Sequence, residues 1–237
     1  MSDPAAPHRL PAILARHGAG GHVEANTIDA FHLALRIGAD GLALDAWRLE
    51  TGQTVVATGP TVRQGWRRRA VSSLDPADLP PGVVALADLI AVLPPAALLL
   101  VVPDSADTAR AVIDAVGATE DRLADLWLGA DDVDALVALR PIASGVKLLA
   151  RTRLSRLKLG PERHAATLAA EGADGVMFTY ADWTGGLVAL YHRFELLTVA
   201  EDAQHERVLL DLMRMDVDVI VTDWPDRAVD AFRLFKN

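Results

Sequence analysis

The sequence contains no cysteine. That excludes disulfides and thiolate metal sites and suits a reducing compartment. The N-terminus reads Met1-Ser2-Asp3-Pro4, with no basic segment leading into an apolar stretch. No signal peptide is expected, and a cytoplasmic protein is. Long hydrophobic runs are missing as well. The longest, such as Ala96 to Val102, have the length of a strand and fall far short of a bilayer span, so no stable membrane insertion is expected. Positive charge is in deficit: 23 Lys and Arg stand against 32 Asp and Glu, a formal charge of -9. That argues against general nucleic-acid binding as a partner. No Gly-rich phosphate loop of the dinucleotide type follows any of the expected strands.

What is present is apolar periodicity of two kinds. Apolar residues make up 51% of the 237 residues, enough for the core of one domain spanning 1–237. Residues 1–11 carry three prolines and read as a surface lead-in. Short apolar runs at 13–15, 41–46, 98–102, 126–128, 146–150, 175–178, 196–199 and 219–221 read as strands. Segments with helical spacing separate them, beginning with Ile28, Phe31, Ala34 and Leu35 on one face, behind an N-cap at Asn26. Eight such units predict an α/β fold, a (β/α)8 TIM barrel, with an open doubly wound sheet as the alternative. Between Trp47 and Thr58 the connection is too short for a parallel crossover, so an extra β-hairpin after strand 2 is expected. Pro60 to Pro81 reads as a loop and Val84 to Leu93 as a helix. Gly38-Ala39-Asp40-Gly41 recurs as Gly172-Ala173-Asp174-Gly175 and loosely as Asp216-Val217-Asp218-Val219. Each stands between a helix and a strand, and each is expected to be a structural turn on the face opposite the site.

The opening unit carries the chemistry. An apolar run ends in Arg16-His17-Gly18, Glu24-Ala25-Asn26-Thr27 opens a helix, and a second run after Gly38-Ala39-Asp40-Gly41 ends at Asp45. This frame resembles the glycerophosphodiester phosphodiesterase family, which opens His-Arg-Gly, Pro-Glu-Asn-Thr, Gly-Ala-Asp-Gly-x-Glu-x-Asp and then His-Asp. The segments 153–164, 182–186 and 202–207 resemble an actinobacterial-type branch of it. The resemblance implies the barrel, a role in phospholipid or glycerophosphodiester metabolism, a divalent cation held by carboxylates, and two histidines as acid and base. Here Arg16-His17 replaces His-Arg, Ala43 replaces the Glu, Thr58-Gly59 replaces His-Asp, and Val101-Val102-Pro103 stands where a later metal carboxylate is expected. By these residues the chain resembles a degenerate member of that family.

Asp45 alone among the matched metal positions keeps a carboxylate, so a Mg²⁺ or Ca²⁺ site is expected to be weak or absent. No cofactor is expected, with Mg²⁺ or Ca²⁺ required only if the chain is active. His17 is the one proton carrier left near the motif, and strand alternation aims it away from the cavity if Arg16 points in. Arg16, Asp45 and Arg151 are the candidate substrate-binding residues, suited to a small phosphate ester. Arg16 could instead pair with Asp45. Glu201, Asp202, Asp223 and His205 also follow strands and could line the rim, or cap helices. His32, His164 and His192 read as surface or helix-packing groups. Arg63, Arg67, Arg68 and Arg69 around Trp66 raise a membrane surface or nucleic acid. In an acidic protein they read first as a solvated loop, or as contact with an anionic substrate. Two functions stay open. One is a barrel that has lost metal-dependent hydrolysis and survives as a binding or regulatory protein. The other is a divergent hydrolase releasing glycerol 3-phosphate and an alcohol, with His17 as acid or base and a weak cation on Asp45 with Asp104 or Glu201.

Overall fold

The computed structural model describes residues 10–102, 106–117 and 122–236. In chain order its first half runs β1 (Ala12–Arg16), α1 (Ile28–Arg36), β2 (Gly41–Arg48), β3 (Thr54–Ala57), β4 (Thr61–Gln64), β5 (Arg67–Ala70), β6 (Val83–Ala85), α2 (Leu86–Val92), β7 (Ala97–Val101) and α3 (Ala106–Gly117). The second half runs β8 (Leu126–Ala130), α4 (Val133–Val137), β9 (Lys147–Arg151), α5 (Pro161–Glu171), β10 (Gly175–Thr179), α6 (Gly185–His192), β11 (Leu197–Glu201), α7 (Glu206–Arg214), β12 (Val219–Thr222) and α8 (Pro225–Lys236).

Strands β1, β2, β7, β8, β9, β10, β11 and β12 pair in parallel in that order, and β1 pairs with both β2 and β12, which closes the barrel. The doubly wound alternative is thereby excluded. The interior is apolar through most of its depth: Leu14, Ala43, Leu99, Val101, Leu149, Met177, Val199, Val219 and Val221 form one buried cluster. Because side chains alternate along a strand, the next inward position beyond Leu14 is Arg16, beyond Ala43 is Asp45, beyond Leu149 is Arg151 and beyond Val199 is Glu201. The opposite strand faces pack against the helices in a second, larger core. So apolar alternation supplies the barrel's filling; Lys147 stands inward at the strands' N-terminal end, and Arg16, Asp45, Arg151 and Glu201 form the last inward layer at their C-terminal end. This is the end of a parallel barrel where ligands bind.

The opposite end is held by a repeated device. Asp40, Asp174 and Asp218 each receive the backbone N–H of the preceding strand's residue, Ile13, Leu148 and Thr198, on a carboxylate oxygen at 2.7–2.8 Å. Each also donates its own N–H to that residue's carbonyl. Gly38 and Gly172 take the left-handed conformation two residues before the aspartate, and in the third copy Asp216 does so with φ 61. The repeated motif is a structural clasp, as its turn chemistry implied.

Beyond the barrel end β2 continues to Arg48, and β3 folds back on it as the expected antiparallel hairpin. β6 adds to β3, so this outgrowth has three strands. Trp47, Leu49, Val55, Ala57, Val71, Leu74 and Val83 give it its own small core. Two expectations are corrected here. The 60–81 segment is not simply loop, because β4 and β5 pair in it across Gly65-Trp66. Gly65 has φ +63, a first-position positive φ that permits a two-residue hairpin turn. The N-cap of α1 is Thr27, whose hydroxyl accepts from Ala30 N at 3.2 Å. Asn26 is instead buried in a left-handed conformation, and its Nδ2 donates to Val56 O at 2.9 Å and Gly82 O at 2.7 Å. It ties the start of α1 to the outgrowth.

Candidate functional site

The charged rim follows from where each strand stops. Arg16, Asp45, Arg151 and Asp223 gather at the same end of the barrel. Asp45 lies in the fields of Arg151, Arg16 and Glu201, and Asp223 in those of Arg16 and Asp202. Arg16 does not pair with Asp45, the partner raised from the sequence. Its Nη1 donates to Asp202, which follows β11 with φ 62. Arg151 holds Glu201 with its Nε at 3.0 Å and approaches Asp131 with its Nη1 at 3.6 Å. Burial opposes the Arg151 charge, but Glu201 and Asp131 outweigh it and raise its pKa. Both rim arginines therefore have carboxylates for neighbours.

His17 departs from the expected orientation. β1 ends at Arg16, and His17 takes φ 52, outside the strand region, so alternation no longer governs its side chain. Its Nε2 reaches within 3.9 Å of Asp45 Oδ2, and its buried Nδ1 has no hydrogen-bond partner. Burial, reinforced by the Arg16 charge, lowers the His17 pKa to about 4. Burial raises the Asp45 pKa to about 6, partly offset by Arg151 and Arg16. Between those values both groups are neutral, and their approach is not an ion pair. Asp223 is raised by burial too; Gln204 Nε2 donates to it at 2.7 Å.

Several rim residues escaped the sequence reading. Asp131 directly follows β8, but the strand was expected to end at Leu128, which left Asp131 in the connection beyond it. Gln204 accepts from Thr222 Oγ1 and Asp223 N through Oε1, at 3.1 and 3.0 Å, and so buttresses the end of β12. His22 lies edge-on to Trp224 and 3.2 Å from Asp226 Oδ1, while Arg227 covers the same indole at 3.9 Å. Only the position of each after a strand could have signalled them. His205 is exposed at the start of α7, and Thr58 is exposed just past β3. Among the helix histidines, His164 Nδ1 meets Tyr191 Oη at 2.8 Å and His192 Nε2 meets Asp218 at 2.8 Å, so both are packing groups. Asp104 lies outside the described residues. A cavity of about 660 Å³ opens at the opposite barrel end beside Asp40, Trp127, Lys147 and Asp218. No rim group lines it, and the clasps beside it have the structural role already described.

The donor set does not fit a divalent cation of the hard-oxygen type, which takes several oxygen ligands. On the same strand as Asp45 the preceding inward position is Ala43, and across the ladder its partner is Val101; both are buried in the apolar interior. Glu201 and Asp131 are engaged with Arg151. Among the described residues no three His, Asp or Glu side chains come together as a metal site.

No protein-family model matches the sequence, and no curated protein matches it significantly. Solved structures do match in fold. A Silicibacter pomeroyi protein described as a glycerophosphoryl diester phosphodiesterase superposes with a TM-score of 0.83 at 18% identity, over 94% of this chain and 93% of its own. The Thermotoga maritima glycerophosphodiester phosphodiesterase gives 0.80 at 15%, over 94% and 99%. An Oleispira antarctica phosphodiesterase, in complex with the product sn-glycerol-3-phosphate, gives 0.82 at 16%, over 94% and 97%. The chain therefore has the (β/α)8 fold of the glycerophosphodiester phosphodiesterases over nearly its whole length. No helix among the described residues is long and apolar enough to cross a membrane.

Proposed function

We propose that this chain is a degenerate glycerophosphodiester phosphodiesterase-like protein of phospholipid metabolism that binds a small phosphate ester and does not perform metal-dependent hydrolysis. The observation that carries this reading is the apolar pair around Asp45: Ala43 and Val101 fill the inward positions where the family resemblance calls for carboxylates. A cation there would neutralise phosphate oxygens as they gain charge, and one carboxylate is a poor ligand set for it. Arg16 and Arg151 remain as planar, permanently charged phosphate ligands. A phosphate ester would bind by taking the place of Asp202 or Asp131 beside them.

The test is paired. Calorimetry with sn-glycerol 3-phosphate is expected to show saturable binding that Arg16→Gln weakens. Hydrolysis of glycerophosphocholine and glycerophosphoethanolamine, with Mg²⁺ or Ca²⁺ added, is expected at background. One observation favours the second reading, a divergent hydrolase. His17 is neutral near pH 7 and sits 3.9 Å from a carboxylate whose pKa is raised to about 6, an acid–base pair in place. Turnover of either substrate that His17→Ala abolishes would establish that reading and defeat the first.

A further inference from the structure

The β4–β5 hairpin is built against its own charges. Its register sets Arg63 directly opposite Arg68, so the two guanidinium stems share one face of a two-stranded ribbon. Like charges in that relation repel. No carboxylate among the described residues pairs with Arg63, Arg67, Arg68 or Arg69. Among the described residues Arg63 bonds to Gly65 O, and Arg69 to Gln64 Oε1 and Ser73 O. At the turn stands Trp66, 81% exposed, with the Arg67 guanidinium 4.3 Å over its ring. Elsewhere in the chain Trp47 and Trp183 are buried, and Trp127 and Trp224 are half-covered by neighbours. An indole held in water at the tip of a ribbon, inside a collar of unpaired arginines, is unlike the rest of this acidic surface.

A second segment has the same character. The connection after β9 rises from the same end of the barrel and carries Arg156 and Lys158 beside Leu159, which is 72% exposed. Neither cation is ion-paired among the described residues. The outgrowth that bears the hairpin extends β2 beyond this barrel end, so both basic, apolar-tipped segments belong to the end that holds the charged rim.

We infer that the β4–β5 hairpin docks this protein, peripherally and reversibly, on an anionic phospholipid surface. Trp66 would sit at the headgroup level, where an amphipathic ring has both an apolar and a wet neighbour. The arginines would face lipid phosphates and relieve the Arg63–Arg68 repulsion. The overall charge of -9 opposes long-range attraction, so only a local collar can engage such a surface. A nucleic acid, which recruits long stretches of positive surface, fits the single exposed indole and the small collar less well. The inference stands independently of the phosphate-ester reading, because it concerns residues outside the rim.

The test is sedimentation with vesicles of phosphatidylcholine alone and of phosphatidylcholine mixed equally with phosphatidylglycerol, followed by Trp emission. Binding to the mixed vesicles only, with a blue shift, is expected. Each basic residue near an anionic surface contributes roughly a fivefold change in partition, so Arg63→Gln with Arg68→Gln should weaken binding at least tenfold. Trp66→Ala should abolish the blue shift, and Arg110→Gln, on the exposed face of α3, should change nothing. All these side chains are exposed, so circular dichroism is expected to stay that of the wild type. Failure to bind the mixed vesicles, binding that the hairpin variants leave intact, or hairpin-dependent capture of an oligonucleotide in place of vesicles would each overturn the inference.

Discussion

Replacing His17 and replacing Asp45 should bend the pH dependence of stability in opposite directions. Burial and the Arg16 charge lower the His17 pKa to about 4 in the folded chain, against its ordinary 6.5. The unfolded chain therefore binds more protons between those values, and the His17 contribution to stability is present above pH 6.5 and is lost as pH falls through about 4. Asp45 has the reverse sign. Its folded value is about 6 against 3.8, so the folded chain binds more protons in that window, and stability is lost as pH rises through it. Both side chains are mostly shielded, with exposures of 10% and 22%. Each difference corresponds to about 3 kcal/mol at full development. The two windows overlap, so in the wild type they nearly cancel between pH 4 and 6.

Single variants unmask the two opposing effects. Relative to wild type, His17→Gln should become progressively more stable as pH falls from 6.5 to 4, by up to about 3 kcal/mol. Asp45→Asn should become progressively more stable as pH rises from 4 to 6, by a similar amount. Urea denaturation of all three proteins across this range measures the differences, and subtracting wild type removes the contributions of Asp218, His192 and the other shifted groups. Difference profiles that are flat, or that slope the same way for both variants, would refute the assignment. So would an NMR titration placing His17 above 6.5, which would make its contact with Asp45 an ion pair at neutral pH.

Asn26→Ala should cost about 3 kcal/mol in urea denaturation, because one buried and one half-buried carbonyl lose their donor and alanine must take φ 60. Asp174→Ala removes the acceptor of Leu148 N and of Arg140 and should cost about 2 kcal/mol by the same assay, with no change at the distant rim. Gly175→Ala would bring a methyl within 2.6 Å of Leu197 O, a backbone atom, so β10 and β11 must part; reduced soluble expression or a large drop in melting temperature is expected. Ala43→Glu with Val101→Glu, together with Arg16→His, His17→Arg and Thr58→His, should create a calorimetrically detectable Mg²⁺ or Ca²⁺ site that Asp45→Ala removes.

The barrel was legible because its signals are local. Apolar strands at intervals, helices with one apolar face, and the Asp turns each follow from short-range chemistry, and the turns repeat. The rim was legible only in outline. That Arg16 and Arg151 end strands can be read from the chain; that Arg16 meets Asp202 cannot, since those residues come together only when the barrel closes. His17 was misread for a definable reason. Alternation holds while backbone angles stay in the strand region, and His17 is the first residue to leave it. Asn26 misled in the same way: an Asn before a helix reads as a cap, and only the folded outgrowth shows the carbonyls of Val56 and Gly82 waiting for its amide. Within 60–81 the proline and arginine content masked four-residue strands too short to show a period.

The two rim arginines differ in how readily a ligand could reach them, and this decides where a phosphate ester would enter. Arg16 and Asp202 are 36% and 44% exposed. A pair of that kind contributes only about 0.2–1 kcal/mol, so exchanging Asp202 for a phosphate costs little. The left-handed backbone of Asp202 adds to the case, because a residue held at φ 62 gains by relaxing once its carboxylate is released. Arg151 is different. Its partner Glu201 is only 14% exposed and contacts it at 3.0 Å, so displacing it would leave a shielded carboxylate without its cation. The exposed Asp131 is the exchangeable neighbour on that side. A phosphate would thus bind first at Arg16 and reach Arg151 only from the Asp131 side, with Asp45 in the field of both arginines. Because Asp45 loses its proton as pH rises through about 6, the site gains a negative charge at that point. Affinity for sn-glycerol 3-phosphate should therefore fall between pH 5 and 7, beyond what the ligand's own titration explains, and the fall should vanish in Asp45→Asn. An affinity that rises over this range in both proteins would place the ligand elsewhere.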